Sequence, residues 1–262
     1  MGRERSLAGH VALVTGGAGE IGRAIARRFA AEGAAVVVAD LRAASELVEE
    51  LVRQGDRAAA VACDVTRAED AENAVSYAVG CFGKLTILVN VAATVTPAGT
   101  VETITLDAWN KTLNVNLTGA FLMCKYAVPE IRKAGGGSIV SIASSHAHIG
   151  VPNRSPYCTS KAALIQFMKC VAIDHAKDKI RANTISPGAI DTERGALQRF
   201  PSREAANLAK GPSYLIGRTG APDEIAAGAL FLACDESSFM TGADLLIDGG
   251  YLAFKGTLTN PA

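Results

Sequence analysis

Long apolar runs are missing from this 262-residue chain. The longest, such as Ala34 to Ala39, is far too short to span a bilayer, so no membrane partner is expected. A surplus of either charge is missing too: lysine plus arginine and aspartate plus glutamate number 26 each. No basic tract stands out, which excludes the usual signature of a nucleic-acid or anionic-membrane partner. The six cysteines form no C-x-x-C pair and no zinc spacing. They are expected to be free thiols of a reducing compartment, most of them in the core. Met1 to Gly9 lacks an apolar signal core, and a cytoplasmic protein is the expectation. Linkers, repeats and low-complexity stretches are also missing. What remains, 49% apolar and 20% charged, has the balance of a globular protein. Its length suits one large α/β domain, taken as residues 1–262 with a core over about 10–252.

The apolar pattern alternates between two kinds of segment. Short β-rich runs occupy His10–Thr15, Ala34–Ala39, Ala58–Cys63, Leu85–Asn90, Ser138–Ala143, Arg181–Ser186 and Ala243–Asp248. Helical spacing occupies Glu20–Glu32, Leu41–Gln54, Ala68–Phe82, Leu106–Lys133, Ser155–Lys177 and Pro222–Asp235. Asp191–Gly217 is polar and irregular. Strands that are apolar throughout and separated by helices imply a parallel sheet covered on both faces. With right-handed crossovers this predicts a single-domain Rossmann fold, a doubly wound seven-stranded parallel sheet.

Between the first strand and the first helix lies Thr15-Gly16-Gly17-Ala18-Gly19-Glu20-Ile21-Gly22. Glycines let the backbone turn tightly and approach a pyrophosphate, which then sits at the helix N-terminus. The strand before and the helix after are the context this motif requires. The second strand ends at Asp40, whose carboxylate is suited to an adenosine ribose and would repel a 2′-phosphate. That points to NAD. Two features compete: Asp40 is also a good helix cap, and Arg42 nearby is suited to a 2′-phosphate.

Tyr157 and Lys161 are four residues apart in a helical run, so they share a face. An ammonium beside a phenol favours the phenolate, giving a proton donor and acceptor usable near neutral pH.

In this order and spacing, these elements resemble the short-chain dehydrogenase/reductase family from about His10 to Leu252. The family's T-G-x-x-x-G-x-G loop is matched at Thr15, Gly16 and Gly22 and departs at Glu20, where its middle glycine normally stands. Gly17, Gly19 and Gly22 restore the general G-x-G-x-x-G spacing. Cys63-Asp64-Val65 resembles the family's adenine-contacting D-V element, and Asn90-Val91-Ala92-Ala93 stands where N-N-A-G is usual. Val115-Asn116-Leu117-Thr118-Gly119 resembles the V-N-L-x-G segment that carries a catalytic Asn, which selects Asn116 over Asn114. Ser144 lies 13 residues before Tyr157, the family's gap, with Ser145 the alternative. Ser186-Pro187-Gly188-Ala189-Ile190-Asp191-Thr192 resembles the segment that holds the nicotinamide amide and a phosphate.

The resemblance implies a catalytic set of Asn116, Ser144, Tyr157 and Lys161. It implies a dinucleotide held by Gly16, Gly19, Glu20, Ile21, Gly22, Asp40, Leu41, Asp64, Val65, Asn90, Ala92, Tyr157, Lys161, Pro187, Gly188, Ile190 and Thr192. Tyr157 would exchange a proton with the substrate oxygen, and Ser144 would hydrogen-bond that oxygen. Lys161 would also bind the nicotinamide ribose, and Asn116 would hold a relay water. No metal is needed, since Tyr and Ser supply the electrophilic help. Glu20 is expected to point away from the phosphates. The candidate substrate pocket comprises Thr94, His146, His148 and Leu197, beneath a lid over Glu193–Gly211. Either histidine, however, equally suits a loop residue facing solvent or a neighbour, and their spacing alone makes no metal site.

Three function classes follow. The first is an NAD-linked enzyme interconverting a small secondary alcohol, cyclic or sugar-like, and its ketone. The second is a 3-oxoacyl thioester reductase of acyl-carrier substrates, for which Arg194, Arg199 and Arg203 are the only basic candidates beside the pocket. The third is a non-catalytic dinucleotide sensor, which has no need of the Ser144, Tyr157, Lys161 set. A homotetramer is expected, built partly through the helices at Leu106–Lys133 and Ser155–Lys177.

Overall fold

A computed structural model describes residues 6–95, 97–193, 195 and 200–253. Seven strands form one sheet in the order β3-β2-β1-β4-β5-β6-β7, every pairing parallel. They are β1 (Val11–Thr15), β2 (Ala35–Asp40), β3 (Ala58–Ala62), β4 (Ile87–Asn90), β5 (Gly137–Ile142), β6 (Ile180–Pro187) and β7 (Asp244–Ile247). Strand order reverses between β1 and β4, so their carboxyl ends open the crevice in which such folds bind ligands.

The central strands are buried on both faces, and side-chain alternation divides the core in two. Ala12, Val14, Val36 and Val38 face one side with Ile25, Phe29, Leu47, Leu51 and Ile225. Val11, Leu13, Ala35 and Val37 face the other with Val75, Met123, Ile131 and Met168. The first layer is made by α1 (Glu20–Ala31), α2 (Ser45–Arg53) and α8 (Pro222–Ala233). The second is made by α3 (Ala68–Phe82), α5 (Gly119–Lys133) and α6 (Ser155–His175). Each large side chain buried this fully contributes about 1.5–3 kcal/mol relative to exposure.

Three departures from the sequence expectation bear on the site. The helix expected over Leu106–Lys133 is divided into α4 (Leu106–Leu113), a π-helical turn (Asn114–Thr118) and α5. The wider turn carries Asn116 inward, and Gly119 follows where a Cβ would lie 2.7 Å from Val65. The helix expected from Leu41 starts only at Ser45, because the backbone at Leu41 is claimed by Asp40. The polar stretch 191–217 contains a further helix, α7 (Arg203–Lys210), capped by Ser202 Oγ accepting from the Ala205 N–H at 3.2 Å. Eight residues are too few to show a clear period.

Cys63, Cys124 and Cys234 are core residues, and burial pushes the thiols of Cys63 and Cys124 up to about 12. Cys81 and Cys170 are exposed and Cys158 is half-buried, so fewer cysteines are core residues than expected. Among the described residues no helix is long and apolar enough to cross a membrane.

Candidate active site

At the end of β1 the chain turns through Gly16 with φ of 65°. A Cβ there would lie 2.7 Å from the Ala92 backbone nitrogen, so only glycine fits between β1 and the loop after β4. Gly22 is packed equally closely: its Cβ would meet the Gly16 carbonyl oxygen at 2.3 Å, which seats α1 on the loop. Gly19 is the α1 N-cap and supplies no side-chain cap, leaving the first helical N–H groups for an anion. A Cβ on Gly19 would meet no atom closer than 3.4 Å, so its face toward the crevice is open. These features fit a pyrophosphate.

Asp40 braces this loop. Its Oδ2 accepts from the Ala18 N–H at 3.0 Å and its Oδ1 from the Leu41 N–H at 2.8 Å. It caps no helix, since α2 begins five residues later behind Ala44. Leu41 and Arg42 are both exposed. At the end of β3, Asp64 Oδ1 accepts from Thr66 N and Oγ1 at 2.9 and 2.7 Å, while Val65 packs in the core against Gly119. Thr15 Oγ1 accepts from Val91 and Ala92 N–H at 3.2 and 3.3 Å, tying β1 to the loop after β4. Asn90 is buried and donates to Ser141 Oγ at 3.1 Å. Its Oδ1 has no partner in the structure, and the residue lines a cavity of about 10 Å³ together with Thr15, Ala92 and Asn116. That is about enough for one water.

The β5 end and α6 form a second corner. Lys161, almost wholly buried, donates from Nζ to the Ile142 carbonyl at 2.7 Å, which fixes it beneath the end of β5. Its Nζ lies 5.9 Å from the centroid of the Tyr157 ring. Two residues beyond Ile142, Ser144 is extended and buried, with Oγ accepting from the His146 N–H at 3.2 Å. The His146 ring stands edge-on to Tyr157, centroids 6.2 Å apart. Ser145 is also buried, on the same short 3-10 turn. Asn116 donates from Nδ2 to the Thr94 carbonyl at 3.0 Å and to Ser160 Oγ at 3.0 Å, and its Oδ1 accepts from the Thr94 N–H at 2.7 Å. It thereby clamps the loop after β4 to α6, whereas Asn114 is exposed.

The wall beyond β6 is aromatic. Tyr214 Oη accepts from the Ala189 N–H at 2.8 Å, and burial pushes its phenol up. Its ring leaves no room for a Cβ on Gly188, which would lie 2.8 Å away. Tyr251 stacks on Tyr214 at 5.3 Å and reaches His146 at 6.4 Å between centroids. The Asp248 carboxylate folds the turn beneath Tyr251 by accepting from Gly250 and Leu252 N–H, both at 2.9 Å. Ile190 bridges to Gly220, and Thr192 Oγ1 accepts from the Gly195 N–H at 3.1 Å.

A family model described as enoyl-(acyl carrier protein) reductase matches residues 16–252. A crystal structure of a short-chain type dehydrogenase/reductase from Mycobacterium marinum superposes with a TM-score of 0.85 and 32% identity, over 95% of this chain and 97% of that one. The chain belongs to the short-chain dehydrogenase/reductase family. It is similar to 2,5-dichloro-2,5-cyclohexadiene-1,4-diol dehydrogenase LinX of Sphingobium indicum, 41% identical over 94% of this chain and 97% of the relative. It is equally similar, at 41%, to D-threitol dehydrogenase of Mycolicibacterium smegmatis, over 94% of each. This dehydrogenase is thus an oxidoreductase of CH–OH and carbonyl groups, with a nicotinamide dinucleotide as its cofactor and a small molecule as its substrate.

In this short-chain dehydrogenase/reductase Ser144, Tyr157 and Lys161 of the expected catalytic set lie about the β5 end and α6 with His146 beside them, and Asn116 reaches α6 through Ser160 while holding Thr94. His148 goes elsewhere: it is exposed, with Nε2 2.8 Å from Asp244 Oδ2 on β7. Leu197 lies outside the described residues, as do Arg194 and Arg199. Glu20 turns away from the loop, and its carboxylate accepts from the Glu193 N–H at 2.7 Å and from Arg203 Nη1 at 2.9 Å. Sequence reasoning missed Tyr214 and Tyr251, and it took Arg203 as a basic candidate beside the pocket without foreseeing its ties to Glu20 and Asp191. The signal for Tyr251 was a tyrosine placed directly after Gly249-Gly250, where the last strand ends at the crevice. Tyr214 and Arg203 lie in the stretch whose helix was too short to read.

Proposed function

We propose that this protein is an NAD-dependent dehydrogenase of ring-bearing secondary alcohols, with Tyr157 as the proton-transfer group. The single observation that carries this reading is the corner at which Ser144, Tyr157 and Lys161 meet an aromatic wall of His146, Tyr251 and Tyr214. The dinucleotide would be held by the Gly16–Gly22 loop with Ile21, by Asp40 and Leu41, by Asp64 and Val65, and by Asn90 and Ala92. On the nicotinamide side the holders would be Pro187, Gly188, Ile190 and Thr192. When bound, the cofactor supplies the hydride acceptor or donor.

The residues of the chain do the rest. Tyr157 as phenolate takes the substrate's hydroxyl proton in oxidation, and as phenol it gives that proton to the substrate oxygen in reduction. Ser144 Oγ donates to the substrate oxygen while charge develops there. Lys161 is desolvated and anchored on the Ile142 carbonyl, so its charge acts on Tyr157 from a fixed position. Asn116 holds Thr94 against Ser160, keeping the pocket's rim in register with α6. Flat aromatic faces at Tyr251 and His146 suit the C–H face of a six-membered ring. The LinX relative, named for a cyclic diol, supports the same class, and the threitol relative supplies the open-chain competitor.

An acyl-carrier substrate is the second reading, favoured by the description of the matching family model. It calls for a basic surface beside the pocket, and Arg203 is already committed to Asp191 and Glu20.

Spectrophotometric assay of cyclohexanol, a cyclohexanediol, threitol and a 3-hydroxyacyl thioester with NAD tests both readings. The ring alcohols should give the highest kcat/KM. Tyr251→Ala should lower it about tenfold for the rings, equivalent to about 1.4 kcal/mol, and less for threitol. Tyr157→Phe should remove nearly all turnover while leaving NADH binding largely intact. Substantial activity in that variant would refute the mechanism, and preference for the thioester would select the second reading.

A further inference from the structure

Glu20 occupies a position where the family loop has glycine, and a glycine there would have no side chain with which to make the contacts it makes. It is the first residue of α1, directly after the uncapped Gly19. One carboxylate oxygen accepts from the Glu193 backbone N–H at 2.7 Å, the other from Arg203 Nη1 at 2.9 Å. Arg203, the first residue of α7, turns its other two nitrogens to Asp191: Nε donates to Oδ1 at 2.9 Å and Nη2 to the backbone oxygen at 2.7 Å. The guanidinium hydrogen bond holds the Asp191 carboxyl below its usual range. Asp191 is itself fixed by its N–H donating to the Gly220 carbonyl at 2.7 Å.

A segment remote in sequence is therefore bolted across the N-terminus of the helix that receives the pyrophosphate. Glu193 N–H can reach the Glu20 carboxylate only if residues 191–193 run alongside the first turn of α1. A lone exposed ion pair contributes about 0–1 kcal/mol. Here one planar guanidinium joins two carboxylates and a carbonyl, and a backbone N–H completes the link, so the geometry is fixed at four points.

We propose that Glu20, Arg203 and Asp191 form a clasp that closes the pyrophosphate groove from the substrate side and slows dinucleotide release. They are positioning residues. Glu20 directs its charge away from the phosphates by spending both oxygens on the clasp, and Thr192 and Glu193 are held beside the groove as a result. The inference rests on the dinucleotide occupying the Gly16–Gly22 loop.

Stopped-flow fluorescence of NADH displacement tests it, on the full chain and on Glu20→Gln, Arg203→Gln, Arg203→Lys and the double variant Glu20→Gln with Arg203→Gln. Each Gln variant should release NADH about three- to tenfold faster, equivalent to about 0.7–1.4 kcal/mol. The double variant should release it hardly faster than either single one, because both break the same clasp. Arg203→Lys, keeping the charge but not the fork, should fall between parent and Arg203→Gln. Thermal melting of the cofactor-free variants separates folding from clasping. A lowered midpoint with unchanged release would reduce the triad to a structural brace and overturn the proposal. Slower release or tighter NADH in Glu20→Gln would show the carboxylate acting on the phosphates, and additive effects would show no shared clasp; either overturns it. A parent chain that binds neither NADH nor NADPH would overturn the cofactor reading and the clasp with it.

Discussion

Asp40 braces the loop after β1 and, on the proposed cofactor reading, would also meet the adenosine ribose, which makes its substitution informative. Its carboxylate holds the Ala18 and Leu41 N–H groups, and each oxygen retains further acceptor capacity toward a ribose hydroxyl. A charge-assisted bond to a 2′-hydroxyl contributes about 1.5–3 kcal/mol, whereas a 2′-phosphate meets like charge. NAD should therefore be preferred to NADP by at least about a hundredfold in kcat/KM, some 2.7 kcal/mol. Asp40→Ala should erode that preference from both sides. NADP gains by losing the repulsion, and NAD loses both its ribose contact and a loop braced by two N–H groups that then lack an acceptor. Arg42, exposed on the bend before α2, is placed to help NADP only once Asp40 is gone. Steady-state kinetics with both cofactors decides it, and equal efficiencies in the parent would mean that Arg42 already governs the corner. Glu20 teaches a related lesson. Its departure from the family loop was plain in the sequence and its outward direction was an expectation, but its partners lie 173 and 183 residues away, beyond the reach of any local pattern.

Helix boundaries show how element-level features carry pH dependence. At the start of α8, Glu224 accepts from the Ala221 N–H at 2.7 Å and from both Arg218 terminal nitrogens at 2.8 Å. The Arg218 hydrogen bond, then the backbone one, lowers its carboxyl from 4.5 to about 2. A depressed acid stabilises the fold above its unfolded pKa, and that contribution is lost as pH falls from about 4.5 toward 2. Glu224→Gln should thus lower the melting midpoint at pH 7 by less than about 4 °C, since the pair is solvent-screened. Parent and variant should converge near pH 2, and parallel midpoints across the whole range would refute the linkage. The elements that sequence patterns reveal well are those with a clear apolar pattern of their own: the seven strands and α3 were legible to within a few residues. The π-helical turn at Asn114–Thr118 was not, because its cause is tertiary. Asn116 is held there by the Thr94 backbone and by Ser160, neither of which a local window contains. The corner proposed as catalytic was legible in its residue types and spacings, while the aromatic wall required the C-terminal turn to be folded back by Asp248.

At the scale of the whole molecule, apolar surface remains on two separate sides. β7 ends the strand order and so lies at one edge of the sheet, with Leu246 partly exposed and Phe239 fully exposed nearby in the chain. On the α5–α6 layer Phe121 is half-exposed and meets Phe167 edge-on at 6.1 Å. A sheet edge with apolar residues and, among the described residues, no further strand beside it is a site for association. Two distinct patches on one chain suit a tetramer of dihedral symmetry, in which each two-fold axis uses a different self-complementary surface. Light scattering should therefore give a mass near four times the 27.1 kDa of the chain. Because a two-fold interface contains each residue twice, losing one phenylalanine removes two buried rings, about 3–6 kcal/mol in all. That weakens association by about two to four orders of magnitude. Phe239→Glu should cut the tetramer at the β7 side and leave dimers held through α5 and α6. Phe121→Glu should leave the complementary dimers, and the double variant should run as single chains. A parent of one-chain mass would refute the assembly, and dissociation straight to single chains in either single variant would show that one interface, not two, holds it together.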